Sequence, residues 1–190
     1  MALTAHDCAA EWRFEDLFDR HDLPELARYE VVDGHLVVTL PPSHRHQMAC
    51  AQLLVQLSAD CPHDWFVAQD FGLRLGDDGR VPDLAAVRRG AALACGPLPY
   101  GPDAFGLVVE VTSPSTRKTD LFAKPGEYAE AGIPLFWRLD LDPVPTLHAF
   151  VLREGSYVEV AAVTDVGAVP VPWGEVELDL RGLAGDLRGD

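Results

Sequence analysis

The run Phe105-Gly-Leu-Val-Val-Glu-Val-Thr112 limits what this chain can fold into more than any other segment. Its unbroken apolar, β-branched character marks an interior strand covered on both faces, and so calls for a sheet packed between layers. Glu110 interrupts that run. An ionised carboxylate in such a place is costly unless a positive group meets it. Strand alternation sets Glu110 and Thr112 on the face of Val108, with Leu107, Val109 and Val111 on the other.

The flanking pattern supplies the rest of the sheet. Residues 7–20 carry Trp12, Phe14, Leu17 and Phe18 at near-helical spacing, predicting a short amphipathic helix. Tyr29–Thr39 predicts a hairpin hinged on Asp33-Gly34, a pair that accepts positive φ. Ser43 predicts the N-cap of a helix reaching about Ala59, with Cys50, Leu53, Leu54 and Leu57 as its apolar stripe. His46 lies one turn before that stripe, on the same face. Trp65–Ala68, Gly72–Leu75 and Val81–Val87 read as extended, with a turn at Asp77-Asp78-Gly79; residues 90–103, rich in Gly and Pro, read as loop. A polar link, Ser113–Asp120, leads to a helix from about Pro125 to Gly132 and a strand at Leu135–Asp140. A late hairpin joins Thr146–Arg153 to Ser156–Val163, and one further strand is expected at Glu175–Leu180.

The strand–helix–strand step at 105–139 implies one parallel pair beside antiparallel ones. The expected class is α+β (mixed α/β): a central mixed β-sheet flanked by helices, with extra β-hairpins at both ends. No repeat or linker divides the chain. Residues 1–190 are expected as a single domain, with a core at about 28–140 and a C-terminal β extension at about 145–182.

At 190 residues and 48% hydrophobic, the chain can fill one core. No stretch approaches the roughly 20 apolar residues that cross a bilayer, and the N-terminus lacks a secretion signal. Cys8, Cys50, Cys61 and Cys95 form no C-x-x-C pair, so reduced thiols and a cytoplasmic location are expected, with Cys50 a small core residue. A net charge of −15 argues against casual nucleic-acid binding. The basic residues are nonetheless uneven: Arg74, Arg80, Arg88, Arg89, Arg117, Lys118 and Lys124 all fall in the middle third.

Pro82-Asp83, Glu110 and Lys124 give the order carboxylate, strand-borne carboxylate, cation. Pro82 is accepted at a strand start or edge, and neighbouring strands about 4.8 Å apart can bring Asp83 and Glu110 to one divalent ion. Such an ion would polarise a phosphoester and acidify an attacking water, while a lysine steadies the charge that develops. In the commoner Asp…Glu-x-Lys order the lysine stands two residues after the glutamate; here that place is Thr112. Lys124 is the candidate replacement, at the start of the next helix. A cation there opposes the helix dipole by about 0.3–1 kcal/mol, which a facing anionic site would offset. Plainer roles stay open: a turn carboxylate for Asp83, a pair with Arg138 for Glu110, a solvated Lys124, an edge position for Glu30 and a core ring for His46. Ser113 and Ser115 flank Pro114, and with no G-x-S-x-G elbow a serine nucleophile is rejected.

The segments Tyr29-Glu-Val-Val-Asp-Gly-His-Leu, Pro42-Ser-His-Arg-His46, Val81-Pro-Asp-Leu, Leu107-Val-Val-Glu-Val-Thr-Ser-Pro-Ser-Thr-Arg, Asp120…Lys124…Tyr128-Ala-Glu-Ala-Gly-Ile-Pro and Phe136-Trp-Arg-Leu-Asp resemble the Uma-type restriction endonuclease family of the PD-(D/E)xK nuclease superfamily. The resemblance runs from about residue 10 to 180. It implies a restriction-endonuclease-like core, Mg2+ or Mn2+ as cofactor and DNA as substrate. It also implies Asp83, Glu110 and Lys124 as the catalytic trio, and marks Glu30 and His46 as positions near the site, with Glu30 a candidate further metal ligand. The expected activity is Mg2+-dependent hydrolysis of DNA phosphodiester bonds. The rival is a catalytically silent binding or assembly module on the nuclease fold, favoured by the acidic charge. Exposed edge strands leave room for a homodimer.

Overall fold

The computed structural model describes residues 11–19, 23, 27–95, 99–112 and 119–183. Asp33 and Gly34 both take positive φ (51° and 72°), folding β1 (Arg28–Val32) onto β2 (His35–Thr39) as the sequence predicts. The preceding helix is shorter than its apolar spacing suggests: α1 covers only Asp16–Asp19, and residues 7–10 and 20 of that expected helix lie outside the described residues. Trp12 and Phe14 instead donate their backbone N–H groups to Gly34 and Asp77 carbonyls, each at 2.8 Å, which holds this stretch out of helix.

Helix α2 (His44–Ala59) begins where Ser43 Oγ accepts the His46 N–H at 3.3 Å. β3 (Trp65–Gln69) and β4 (Leu73–Leu75) follow. The strand expected over 81–87 starts only at Leu84, as β6 (Leu84–Arg88), and a short strand, β5 (Asp78–Arg80), falls where the turn at 77–79 was expected. Pro82 has no N–H to give a ladder, and the Val81 N–H donates to Glu30 Oε1 at 3.0 Å instead. The expected loop 90–103 holds a helix, α3 (Arg89–Cys95), since Ala91-Ala-Leu-Ala94 are strong helix formers. β7 (Phe105–Thr112) is buried along its whole length.

Residues 113–118, most of the expected polar link, lie outside the described residues. A π-helical turn, Thr119–Ala123, runs straight into α4 (Lys124–Glu130), and Gly132 ends it at φ 78°. β8 (Leu135–Asp140), β9 (Thr146–Arg153) and β10 (Ser156–Val163) fall where expected. The tail holds a hairpin rather than a lone strand: β11 (Val166–Val171) pairs with β12 (Gly174–Asp179).

The strands form a six-stranded mixed sheet in the order β10-β9-β8-β7-β6-β3, a four-stranded sheet β2-β1-β5-β4 and the β11-β12 pair. Among the described residues β7 and β8 are parallel, and every other pairing between these strands is antiparallel. The Pro82-Asp83 break is the step by which the chain leaves the smaller sheet for the larger. One face of the larger sheet packs Leu107, Val109 and Val111 against α2 and the β11-β12 hairpin. The other packs Val108 against Tyr128 of α4, Ile133 and Phe136. No helix among the described residues is long and apolar enough to cross a membrane.

Gly106 in β7 is closely packed. A Cβ there would stand 2.5 Å from the Trp65 ring and 2.7 Å from Pro172. Gly106→Ala is therefore expected to lower stability by about 1–3 kcal/mol through overpacking. Urea unfolding measures it, and an unchanged midpoint contradicts the contact.

Candidate active site

Glu110 is 1% exposed, in the middle of the most buried strand. Its charge is met from α4. Lys124 Nζ donates to Oε2 at 2.8 Å and the Tyr128 hydroxyl donates to Oε1 at 2.6 Å. Lys124 and Tyr128 are four residues apart, so one helix face delivers both groups. Burial and then the Glu110 charge push the Tyr128 hydroxyl well above the usual phenol range, keeping it a donor. The π turn before Lys124 changes the expectation for this lysine. Ala123 is already helical (φ −80°, ψ −59°), so Lys124 does not cap a free helix end, and the dipole penalty expected there is reduced.

Asp83 stands at the first position before β6. Leu84 pairs with Val109, and continuing that register sets position 83 across from Glu110. Its Oδ2 accepts the Val111 N–H at 2.7 Å, and its Oδ1 accepts from Arg28 Nη1 at 2.6 Å. Arg28 also reaches Asp70 at 2.5 Å. Burial alone would raise the Asp83 pKa; the nearby His46 ring, Arg28 and Lys124 outweigh it and hold the carboxyl well below its usual range. His46 is 6% exposed and its Nε2 lies 3.1 Å from Asp83 Oδ1. The alignment is not that of a hydrogen bond, and neither ring nitrogen has a hydrogen-bond partner among the described residues. Cys50, one turn further along α2, is also buried, and burial followed by the Asp83 charge raises its thiol.

Glu30, on β1, ties the smaller sheet to α4. Its Oε1 accepts from Val81 and lies 3.7 Å from Lys124 Nζ, while its Oε2 accepts from Arg80 Nη1 at 3.1 Å. Arg80 closes a bidentate pair with Glu127 at 2.7 and 2.6 Å. Burial disfavours the charge on Arg80, but Glu127 and Glu30 more than restore it. Through these contacts Glu30, Glu110 and Lys124 form one ionic cluster. Asp83 and Arg28 adjoin it, since the fields of Lys124 on Asp83 and of Glu110 on Arg28 are both felt.

All five residues singled out in the sequence, Glu30, His46, Asp83, Glu110 and Lys124, are thus buried in one region. Thr112, in the commoner lysine place, donates to Asp140 Oδ1 at 2.8 Å. Arg138, the expected rival partner of Glu110, binds Asp140 through Nε at 3.2 Å. Ser113, Ser115, Arg117 and Lys118 lie outside the described residues. Arg28, Arg80, Glu127 and Tyr128 went unassigned in the sequence. The four-residue spacing of Lys124 and Tyr128 was a usable signal for Tyr128; for the other three no local pattern exists. A cleft of about 810 Å3 opens beside Asp83, and Arg28, His46 and Cys50 are among the residues lining it.

The chain is similar to the crystal structure of a "putative nuclease belonging to DUF820" from Anabaena variabilis, with a TM-score of 0.68 and 16% identity over 90% of this chain and 97% of that one. At that identity the likeness speaks to the fold. No curated protein matches the sequence. The family model Uma2, described as "Putative restriction endonuclease", matches residues 14–180, and the chain belongs to that family.

Proposed function

We propose that this protein is an endonuclease that hydrolyses DNA phosphodiester bonds with Mg2+ or Mn2+, using Asp83 and Glu110 as metal ligands and Lys124 to assist the attacking water. Glu30 is a further ligand, directly or through water. Convergence of carboxylates is the observation that supports this most. Glu30, Asp83 and Glu110 are all buried, Lys124 Nζ lies 3.7 Å from Glu30 and 2.8 Å from Glu110, and Asp83 feels the same ammonium. Hard oxygen donors gathered in this way suit a divalent ion of the Mg2+ class. When bound, that ion supplies Lewis acidity at the phosphate and a more acidic water.

The remaining work falls to the chain. Lys124 places an ammonium beside Glu110, where it can donate to an incoming water or to a non-bridging phosphate oxygen. Tyr128 fixes Glu110 from its other oxygen, so the carboxylate cannot rotate when Lys124 moves to substrate. The Arg80–Glu127 clamp fixes Glu30 in the same way. Arg28 has Asp70 as an alternative partner, which lets it release Asp83 at little cost. The cleft beside Asp83 gives DNA its approach. Cys50 and Cys61 are free thiols, in keeping with a cytoplasmic setting.

A second reading has one observation in its favour. Arg28 and Lys124 already compensate the two carboxylates a metal would need, as a silent nuclease-fold module would have it. Titration calorimetry with Mg2+ and Mn2+ separates the two, because a silent module takes up neither ion.

Glu110→Gln is expected to reduce metal-dependent plasmid cleavage to background, and Lys124→Met to slow it about 10²–10³-fold; wild-type rates in a folded Glu110→Gln protein defeat the proposal. Lys124→Met also strands a buried carboxylate, at about 3–5 kcal/mol. Combining it with Glu110→Gln removes that charge, so urea unfolding of the double variant should recover much of the loss. Additive losses would mean the pair is not coupled. Acid stability tests Asp83. Its folded pKa is lowered, so the unfolded chain binds the extra proton; the stabilisation is present above about pH 4 and is lost as pH falls through the folded value. In chelator, wild type should therefore lose stability below about pH 5 more steeply than Asp83→Asn. Parallel curves would contradict this.

A further inference from the structure

Beside the proposed Mg2+ ligands, a second donor set includes Asp83. His46 and Cys50 are four residues apart on α2 and therefore share a helix face. Ligand atoms of His46, Cys50 and Asp83 all lie within 4.8 Å of one another, and all three residues are buried. His46 is the independent pointer to a ligand. It is 94% buried by its 6% exposure, its Nε2 faces the Asp83 carboxylate at 3.1 Å, and neither ring nitrogen makes a hydrogen bond. A core histidine kept only for packing would be expected to satisfy at least one of them. An ion between imidazole and carboxylate satisfies Nε2 and uses an Asp83 lone pair that Arg28 and Val111 leave open.

We propose that His46, Cys50 and Asp83 form a site for a borderline-soft transition ion of the Zn2+ class, distinct in ligand chemistry from the oxygen-lined Mg2+ site. Imidazole with thiolate selects such ions over Mg2+. Zinc-to-ligand distances of about 2.0–2.3 Å require donors some 3–4 Å apart, so the existing spacing closes with side-chain adjustment alone. Cys50 would bind as the thiolate, its proton passing to solvent. Three protein ligands leave a fourth position for water, and the cleft lined by His46, Cys50 and Asp83 gives that position access to solvent. The site needs no nuclease activity to exist. Where the endonuclease proposal also holds, the two ions share Asp83, and zinc would withdraw it from Mg2+.

The test is Co2+ titration of the chelator-stripped, full-length protein, with absorbance as readout. Wild type should bind one Co2+ per chain with a sulfur-to-cobalt charge-transfer band and intense tetrahedral d–d bands, all bleached by stoichiometric Zn2+ and unmoved by excess Mg2+. Cys50→Ser should abolish the charge-transfer band, and His46→Gln should weaken binding at least about 10-fold; circular dichroism confirms that both variants fold. Cys61→Ser and Glu110→Gln should leave the spectrum unchanged, the latter separating this site from the Mg2+ ligands. Absence of the charge-transfer band in wild type overturns the proposal, as does a band that survives Cys50→Ser.

Discussion

A carboxylate in the most buried strand of the molecule, met by an ammonium and a phenol from one helix, is the interaction on which the rest of this structure turns. Glu110 could not sit at the centre of β7 alone, because burying an unpaired charge costs several kcal/mol. Lys124 and Tyr128 meet it from α4, and to do so α4 must pack directly on that face of the sheet. The right partner on the wrong face would do nothing. Helix position, strand burial and site chemistry are therefore one constraint expressed three times.

The second organising feature is the break at Pro82-Asp83. By stepping from one sheet to the other there, the chain leaves Val81 N–H for Glu30 and puts Asp83 beyond the end of the β6 ladder. Freed from strict alternation, its carboxylate reaches the Val111 N–H on one side and α2 on the other. A continuous strand over 81–87 would have fixed Asp83 to a single face. The irregularity is what lets groups from α2, β1 and β7 meet.

Much of this was readable from local pattern. Ser43 before a helical stripe, Asp33-Gly34 between β-branched runs and the apolar run around Glu110 each follow from short-range rules, and the family resemblance adds the positions of Glu30, His46, Asp83 and Lys124. Partner choice was not readable. Arg28, Arg80 and Glu127 acquire their roles only when two sheets and α4 converge, and nothing within a few residues of each signals it. The missed elements have local causes as well. Gly and Pro around Ala91-Ala-Leu-Ala94 masked α3. Gly167 and Pro170 hid β11, which tolerates them because its sheet has only two strands. Phe14 looked helical by spacing but lies in the turn before α1, its N–H bound to the distant Asp77 carbonyl.

The β11-β12 hairpin, an embellishment by position in the chain, is structural by contact. Val169, Val171, Val176 and Leu178 belong to the same apolar cluster as Leu107 and Trp137. The Gln56 side-chain amide also mimics a strand, donating to the Asp179 carbonyl at 2.9 Å and accepting its N–H at 2.8 Å. The helix that carries His46 and Cys50 is thus buttressed by the β11-β12 hairpin. Modular swapping is constrained accordingly: a recombination boundary placed after Asp140 would carry away the acidic strands while leaving behind the wall against which their supporting helix leans.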